Sequence, residues 1–462
     1  MATVDMPRLI LLLVLILPWL MLSLTAVTRC TPWQRHCLVV APAVGLVLAL
    51  LPAAGPLEFP GVLLGSHFGV DDVNRLFLLV TALAWLAASV LAASYLGTAG
   101  RPRRFLTCFL LAMGGNFALV LSQDAVSFFT GFAVMSLAAY GLVNDRGDSA
   151  SRYAGRVYIV LAITGEVLLF AALVGLVHEA GGIRFPLDFD AAPPDWAIAC
   201  AVLGFGVKAG MLPLHMSIPL SYGAAPLAAG VALAGAMLNA GLLGWLRWLP
   251  LGSVEASTWG FLFAGAGLLG AAWGVVQGVR QSSPTALLGY SSISQVGLMM
   301  LFIGAGFIAP DQWSVFLPLL GYFVLHHACA KTALFCASSG HLPAVGPRWV
   351  WWAVFSLPGL ALIGVPLSTG YLAKAGLSQV VTSPGVGLAS LAPWLVLATA
   401  GTALLMARWF YLVFRARQPD APLAPAPWVA LALAVLVAVG PLLATLLGVP
   451  VPGVQVGLST AG

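Results

Sequence analysis

The sequence predicts an all-α, polytopic integral membrane protein with about fourteen transmembrane helices, and three observations carry that prediction. Of 462 residues, 61% are hydrophobic and only 8% are charged, whereas soluble domains carry about 25% charged residues. Apolar stretches near the roughly 20 residues needed to cross a bilayer core recur along the whole chain. No polar segment between them can hold a separate module, the longest loop being residues 178–195. An ordinary cytosolic enzyme is excluded. The 51 glycines and 31 prolines fall largely among apolar residues, where they signal close helix packing and helix breaks.

Taken from one charged or Pro/Gly break to the next, the spans fall near 8–28, 37–54, 74–96, 104–122, 125–144, 154–177, 196–221, 225–248, 257–279, 285–308, 313–339, 350–378, 387–414 and 427–448. The first has the apolarity of a signal peptide. Its run from Leu9 to Val27 is longer than a usual signal core and no A-x-A site closes it, so it is expected to be a membrane helix. The whole chain, 1–462, reads as a single membrane domain. Orientation follows from arginine. Loops after odd-numbered spans hold twelve (Arg29, Arg35, Arg101, Arg103, Arg104, Arg146, Arg152, Arg156, Arg280, Arg348, Arg415, Arg417), and loops after even-numbered spans hold three, Arg75, Arg184 and Arg247. The odd loops are therefore expected in the cytoplasm of a bacterial inner membrane, with both termini on the other side.

The formal charge of +5 is scattered, with no polybasic run for nucleic acid. The six cysteines, Cys30, Cys37, Cys108, Cys200, Cys329 and Cys336, show no C-x-x-C or zinc spacing. No nucleotide-binding glycine loop, metalloprotease motif, nucleophile elbow or iron–sulfur ligand set is present. Neither a cofactor, a metal nor a catalytic site is expected in this chain, and whether it serves an oxidoreductase is left open.

The informative residues are the ionisable ones inside the spans. All three lysines of the chain, Lys208, Lys331 and Lys374, lie within apolar stretches, and Glu166 is the one acid of fifteen at the middle of a span. A charge at a helix centre costs roughly 2.5–3.5 kcal/mol on insertion scales, so these groups point to function. Lysine suits proton transfer because burial and nearby carboxylates move its affinity for a proton, whereas arginine stays charged. A lysine that snorkels from a span end is the plain alternative. His215, His326 and His327 add titrating groups, and His327 and Lys331 share a helix face at i, i+4. A single buried histidine such as His215 is equally well a satisfied core residue.

Two spans carry internal breaks. Pro213 follows Lys208, with Pro219 and Pro226 beyond it, and Pro366, Ser368, Thr369 and Gly370 precede Lys374. Prolines free backbone carbonyls, which membrane interiors tolerate only beside protein or water. Broken helices at corresponding places are the mark of inverted-repeat transporters. Spans 7 and 12 are five apart, which predicts repeats of spans 4–8 (101–250) and 9–13 (251–418), preceded by N-terminal helices (1–100) and followed by a C-terminal helix (419–462). The polar run Tyr290-Ser291-Ser292-Ile293-Ser294-Gln295 either holds water between the two sites or packs helices.

At these residues the chain resembles the antiporter-like membrane subunits of respiratory complex I, whose relatives occur in membrane-bound hydrogenases, Mrp-type cation/proton antiporters and DAB inorganic-carbon complexes. The matching segments are KAGMLPLHMSIPLSYGAAP, AGAMLNAGLLGWLR, LLGYSSISQVG, HHACAKTALFCASSG and GVPLSTGYLAKAG, in family order within about residues 100–380. The resemblance implies that Lys208 is the helix-7 lysine, residues 326–331 the helix-11 relay and Lys374 the exit lysine. It also implies partner subunits, among them a peripheral catalytic one, and protons or Na+ as the ion. Three departures stand out. The Trp-Glu pair of helix 5 is Phe132-Ala133, a common helix-8 lysine is Asn239, and an Asp-x-Lys before helix 10 is Ser283-Pro284-Thr285. The chain also ends soon after span 14, without the lateral helix of the largest complex I subunit.

Three functions follow from this resemblance: a proton-translocating subunit, a DAB-type subunit for carbon dioxide or bicarbonate uptake, or a scaffold that pumps nothing. In the first, Glu166 is expected within reach of Lys208 in place of the lost helix-5 acid, with Gly165 letting the helices approach. Asn239, Ser291 and Ser292 would then hold water on the way to His326, His327 and Lys331.

Overall fold

The computed structural model describes residues 5–27, 32–52, 55–340, 342–343, 345–415 and 425–446, and helices stand at all fourteen predicted spans within them. Arg29, Cys30, Arg417, positions 447–448 of the last predicted span and the 418/419 boundary lie outside the described residues. In chain order the helices are α1 (Met6–Val27), α2 (Pro32–Cys37), α3 (Val40–Leu50), α4 (Asp72–Thr98), α5 (Pro102–Leu121), α6 (Ala125–Val143), α7 (Ser149–Ala180), α8 (Asp195–Ala209) and α9 (Ser217–Ala224). They continue as α10 (Leu227–Ala232), α11 (Leu238–Trp248), α12 (Ser257–Val279), α13 (Pro284–Ile308), α14 (Trp313–Ala337), α15 (Arg348–Ile363), α16 (Thr369–Thr382), α17 (Ala392–Arg415) and α18 (Ala426–Leu446). Among the described residues eleven helical segments are long and apolar enough to cross a membrane. Shorter apolar helices, Arg35–Leu50, Arg348–Ile363 and Ala426–Val437, occupy predicted spans 2, 12 and 14.

Three of the acids at span ends are helix caps. Asp71 caps α4 in a capping box with Asn74, Asp124 caps α6 through the Ser127 N–H, and Asp148 caps α7 through the Ser151 N–H, each satisfying donors that a helix start leaves open. Two of them also tie distant segments. Asp71 pairs with the nearly buried Arg247 at 2.5 Å, and Asp124 accepts the His67 N–H at 2.8 Å. His67 belongs to a small antiparallel hairpin, β1 (Leu57–Phe59) with β2 (Ser66–Phe68), an addition to the predicted helices. Strands of three residues are too short to leave a periodic signal in the sequence.

Helix α13 lies at the centre, buried from Ala286 to Ile308. It meets α12 backbone to backbone. A Cβ on Gly267 would sit 2.4 Å from the Gly297 carbonyl oxygen, and one on Gly297 would sit 2.3 Å from that of Gly267, the close approach that small residues permit in membranes. Outer faces of α7, α12 and α17 expose large apolar side chains such as Val167, Leu269 and Val396.

Spans 7 and 12 are both broken, near Pro213 and Pro366 as predicted. Helix α8 stops at Gly210 (φ +85°) and the chain resumes as α9 seven residues later. Helix α15 stops at Gly364 (φ +91°), and Ser368 caps α16 by accepting the Tyr371 N–H. In each case a glycine in the left-handed region closes the first half-helix. A third irregularity has no proline to announce it: residues Leu233–Met237, between α10 and α11, form a π turn.

Candidate functional site

Lys208 occupies the last turn of α8, two residues before the left-handed Gly210. Its Nζ donates to the Tyr158 hydroxyl at 2.8 Å and lies 5.2 Å from the centre of that ring. Tyr158 in turn donates to the Ser136 carbonyl at 3.1 Å. Glu166 stands eight residues after Tyr158 on α7, half-buried like Lys208. The two helices approach closely because Gly165 faces the Gly204 carbonyl, 3.2 Å from where a Cβ would be. The Glu166 carboxylate interacts with the Lys208 charge and lies beside the Ser136 hydroxyl. Among the described residues no ion pair within 4.0 Å joins Glu166 to Lys208. Both carboxylate oxygens are buried without a well-formed hydrogen bond. A cavity with about 30 Å³ of space for water-sized spheres touches Lys208, Tyr158, Ser136, Gly165 and Ser221, enough for one or two waters.

Lys331 is fully buried at the middle of the molecule. Its Nζ donates to the Leu288 carbonyl at 2.9 Å, which also accepts the Ser292 hydroxyl at 3.1 Å. His327, one turn earlier, interacts with Lys331 and His326, yet neither ring nitrogen has a hydrogen-bond partner. The Ser221, Ser291 and Ser294 hydroxyls and Asn239 Oδ1 are likewise buried without partners. Such groups are rare in folded proteins and mark positions where internal water is held. Asn239 stands on a helix whose glycines pack beside neighbours of both lysines. The Gly235 carbonyl that accepts its Nδ2–H at 2.7 Å belongs to a residue packed on Thr332, next to Lys331, and Gly241 packs on Ala209, next to Lys208.

His326 turns toward the second break. Its Nδ1 is 2.7 Å from the Thr369 hydroxyl, in the first turn of α16. Lys374 lies further along α16 and donates to the Ile363 carbonyl at 2.7 Å, the open end of α15, and to the Thr399 hydroxyl at 3.2 Å. His215 stands apart. Its Nε2 accepts the Trp273 indole N–H at 3.0 Å and its Nδ1 faces the Pro213 carbonyl at 3.2 Å. Both nitrogens are satisfied there, and the ring does not line the Lys208 cavity, so the satisfied-core alternative describes its geometry.

The geometry therefore gathers Glu166 and Lys208 at the first break. It places Asn239, Ser291, Ser292, His327 and Lys331 in the middle, and His326 and Lys374 at the second break. Thr369 is named in the sequence as part of the second break, but Tyr158, Ser136 and Thr399 are not singled out there. Tyr158 shares its apolar span with Glu166, which is a usable signal; Ser136 and Thr399 resemble many other hydroxyl residues. Among the described residues no three His, Cys, Asp or Glu side chains form a metal-ligand group.

Residues 122–406, a range that holds all ten of the predicted site residues, match the model of a family described as NADH:quinone oxidoreductase/Mrp antiporter, transmembrane. The chain belongs to that family. Hydrogenase-4 component B of Escherichia coli K12 is 27% identical over 356 residues, covering 70% of this antiporter-family chain and 51% of that protein. The chain thus spans about half the length of that relative. NADH-quinone oxidoreductase subunit N 1 of Sorangium cellulosum is 28% identical over 428 residues, 83% of either chain. A chain of respiratory complex I from Thermus thermophilus shares the fold, with a TM-score of 0.74 at 21% identity over 95% of this chain and 98% of that one. These likenesses give the DAB-type alternative no specific support.

Proposed function

We propose that this antiporter-family chain moves protons across the membrane as one subunit of a larger energy-coupling complex. The observation that carries the reading is the setting of its three lysines. Each ammonium is hydrogen-bonded to neutral oxygens, those of Tyr158, Leu288, Ile363 and Thr399. Around the first two stand buried polar atoms without partners, on Ser221, Asn239, Ser291 and His327, and the His326–Thr369 pair stands before the third. A lysine hydrogen-bonded to neutral acceptors can lose its proton without breaking an ion pair, and water on the orphaned atoms can carry the proton onward.

The path runs from Lys208 over Asn239 and Ser291 to His327 and Lys331, then through His326 and Thr369 to Lys374. Glu166 supplies the movable negative charge in place of the helix-5 acid. Approach of its carboxylate favours a protonated Lys208, and retreat releases the proton. A buried lysine–glutamate pair gains little net energy because desolvation offsets attraction, so small helix movements suffice. Protons suit this interior better than Na+, since hard cations need several oxygen ligands and only one carboxylate lies among three lysines. The membrane arrangement proposed is fourteen crossings in two inverted repeats, spans 4–8 and 9–13. The arginine-rich loops lie on the cytoplasmic side and both termini opposite.

Proton uptake by vesicles holding the assembled complex tests the reading. Lys331→Ala is expected to reduce driven uptake to background while the complex assembles normally. Undiminished uptake would show that the path avoids Lys331.

A further inference from the structure

Two spaces meet at Tyr222. One is the Lys208 cavity. The other is a larger, open cavity bordered by Arg146, Ser283, Thr285, Gly230, Phe335 and Ser338. These residues lie in or next to the loops after odd-numbered spans, so the second cavity opens on the arginine-rich side. Tyr222 is the one residue, among those described, that lines both. The residue is 3% exposed, and its ring packs edge-on against Phe335, with centroids 5.2 Å apart.

How the ring is fixed suggests that it moves. The hydroxyl donates to the Leu233 carbonyl at 3.2 Å, long for an O–H···O bond. Leu233 opens the π turn, and its carbonyl also accepts the Leu238 N–H five residues on. Single π turns inside α-helices are frequent at functional positions, and this one places an acceptor opposite a ring that lines both spaces. On the cavity side the Ser221 hydroxyl is buried without a partner. On the open side the Ser283 and Thr285 hydroxyls lie 3.0 Å apart.

We propose that the Tyr222 side chain is the movable barrier between the arginine-rich face and the Lys208 cavity. With its hydroxyl on Leu233 the passage is shut. When that bond breaks and the ring swings off Phe335, water from the open cavity reaches Ser221 and Lys208. The role of this passage in proton supply rests on the proton-path reading above; the barrier itself does not.

Thiol accessibility tests it. Ser221→Cys puts a thiol on the cavity wall at the cost of no hydrogen bond. Vesicles of each orientation holding the complex are exposed to Ag+, which is close to water in size. The thiols left free are then alkylated after denaturation, and the peptide containing position 221 is read by mass spectrometry. With Tyr222 present the introduced thiol reacts slowly. Adding Tyr222→Ala raises its rate about tenfold from the arginine-rich side alone, because truncation leaves a water-sized void. Tyr222→Phe, which keeps the ring and loses only the hydroxyl, gives a smaller rise and guards against a fold defect in the alanine variant. An unchanged rate in both variants, or equal acceleration from both sides, overturns the proposal. Faster labelling with unaltered proton uptake supports the barrier and removes the proton-path reading instead.

Discussion

At the break between α8 and α9, Lys208 stands beside a phenol and near a carboxylate; at the break between α15 and α16, Lys374 is hydrogen-bonded, among the described residues, to a backbone carbonyl and a threonine hydroxyl. Both breaks use a left-handed glycine and a nearby proline, yet the lysine precedes the gap in one and follows it in the other. The first site has a partner whose charge can hold or release a proton. The second has acceptors that bind the ammonium without fixing its charge. On the proposed reading, one break responds to movement and the other passes a proton on.

Several substitutions break or sharpen this contrast. Lys374→Ala removes the proton carrier of the second break and is expected to bring driven uptake by the assembled complex to background, as Lys331→Ala does in the middle. Thr399→Asp gives Lys374 the charged partner that Lys208 has. By favouring the protonated lysine it should slow uptake about tenfold, and unchanged uptake would show that the company of the lysine is immaterial. Thr369→Val removes the His326 hydrogen bond, worth about 1 kcal/mol, and should lower uptake a few-fold. His215→Gln is expected to leave uptake unaltered, since its nitrogens are satisfied away from the Lys208 cavity; a marked loss would return His215 to the path.

Much of this was legible in the sequence because a membrane interior makes exceptions visible. Lysine and glutamate inside apolar runs stand out at once, and Pro213 and Pro366 announce the gaps beside two of them. The residues that hold those charges did not stand out. Tyr158, Tyr222 and Thr399 are not singled out in the sequence, because their partners come from other helices. The π turn at Leu233–Met237 carries no glycine or proline pattern that sets it off from the regular helix around it. The hairpin at residues 57–68 is too short to leave a periodic signal, and the Asp71–Arg247 pair joins residues far apart in sequence whose patterns say nothing about partners. Departures such as Ala133 and Asn239 were plain, but only the packing of Gly165 on Gly204 and of Gly235 and Gly241 on their neighbours gives them a structural answer.

Glu166 is proposed here as the acid that switches Lys208. Driven proton uptake by vesicles holding the assembled Glu166→Gln complex tests it most directly, because glutamine keeps the shape and removes the charge. Loss of uptake with subunit assembly and partner turnover retained is the predicted result. Uptake at the unsubstituted rate would contradict it, and the first break would then have no acid to switch its lysine.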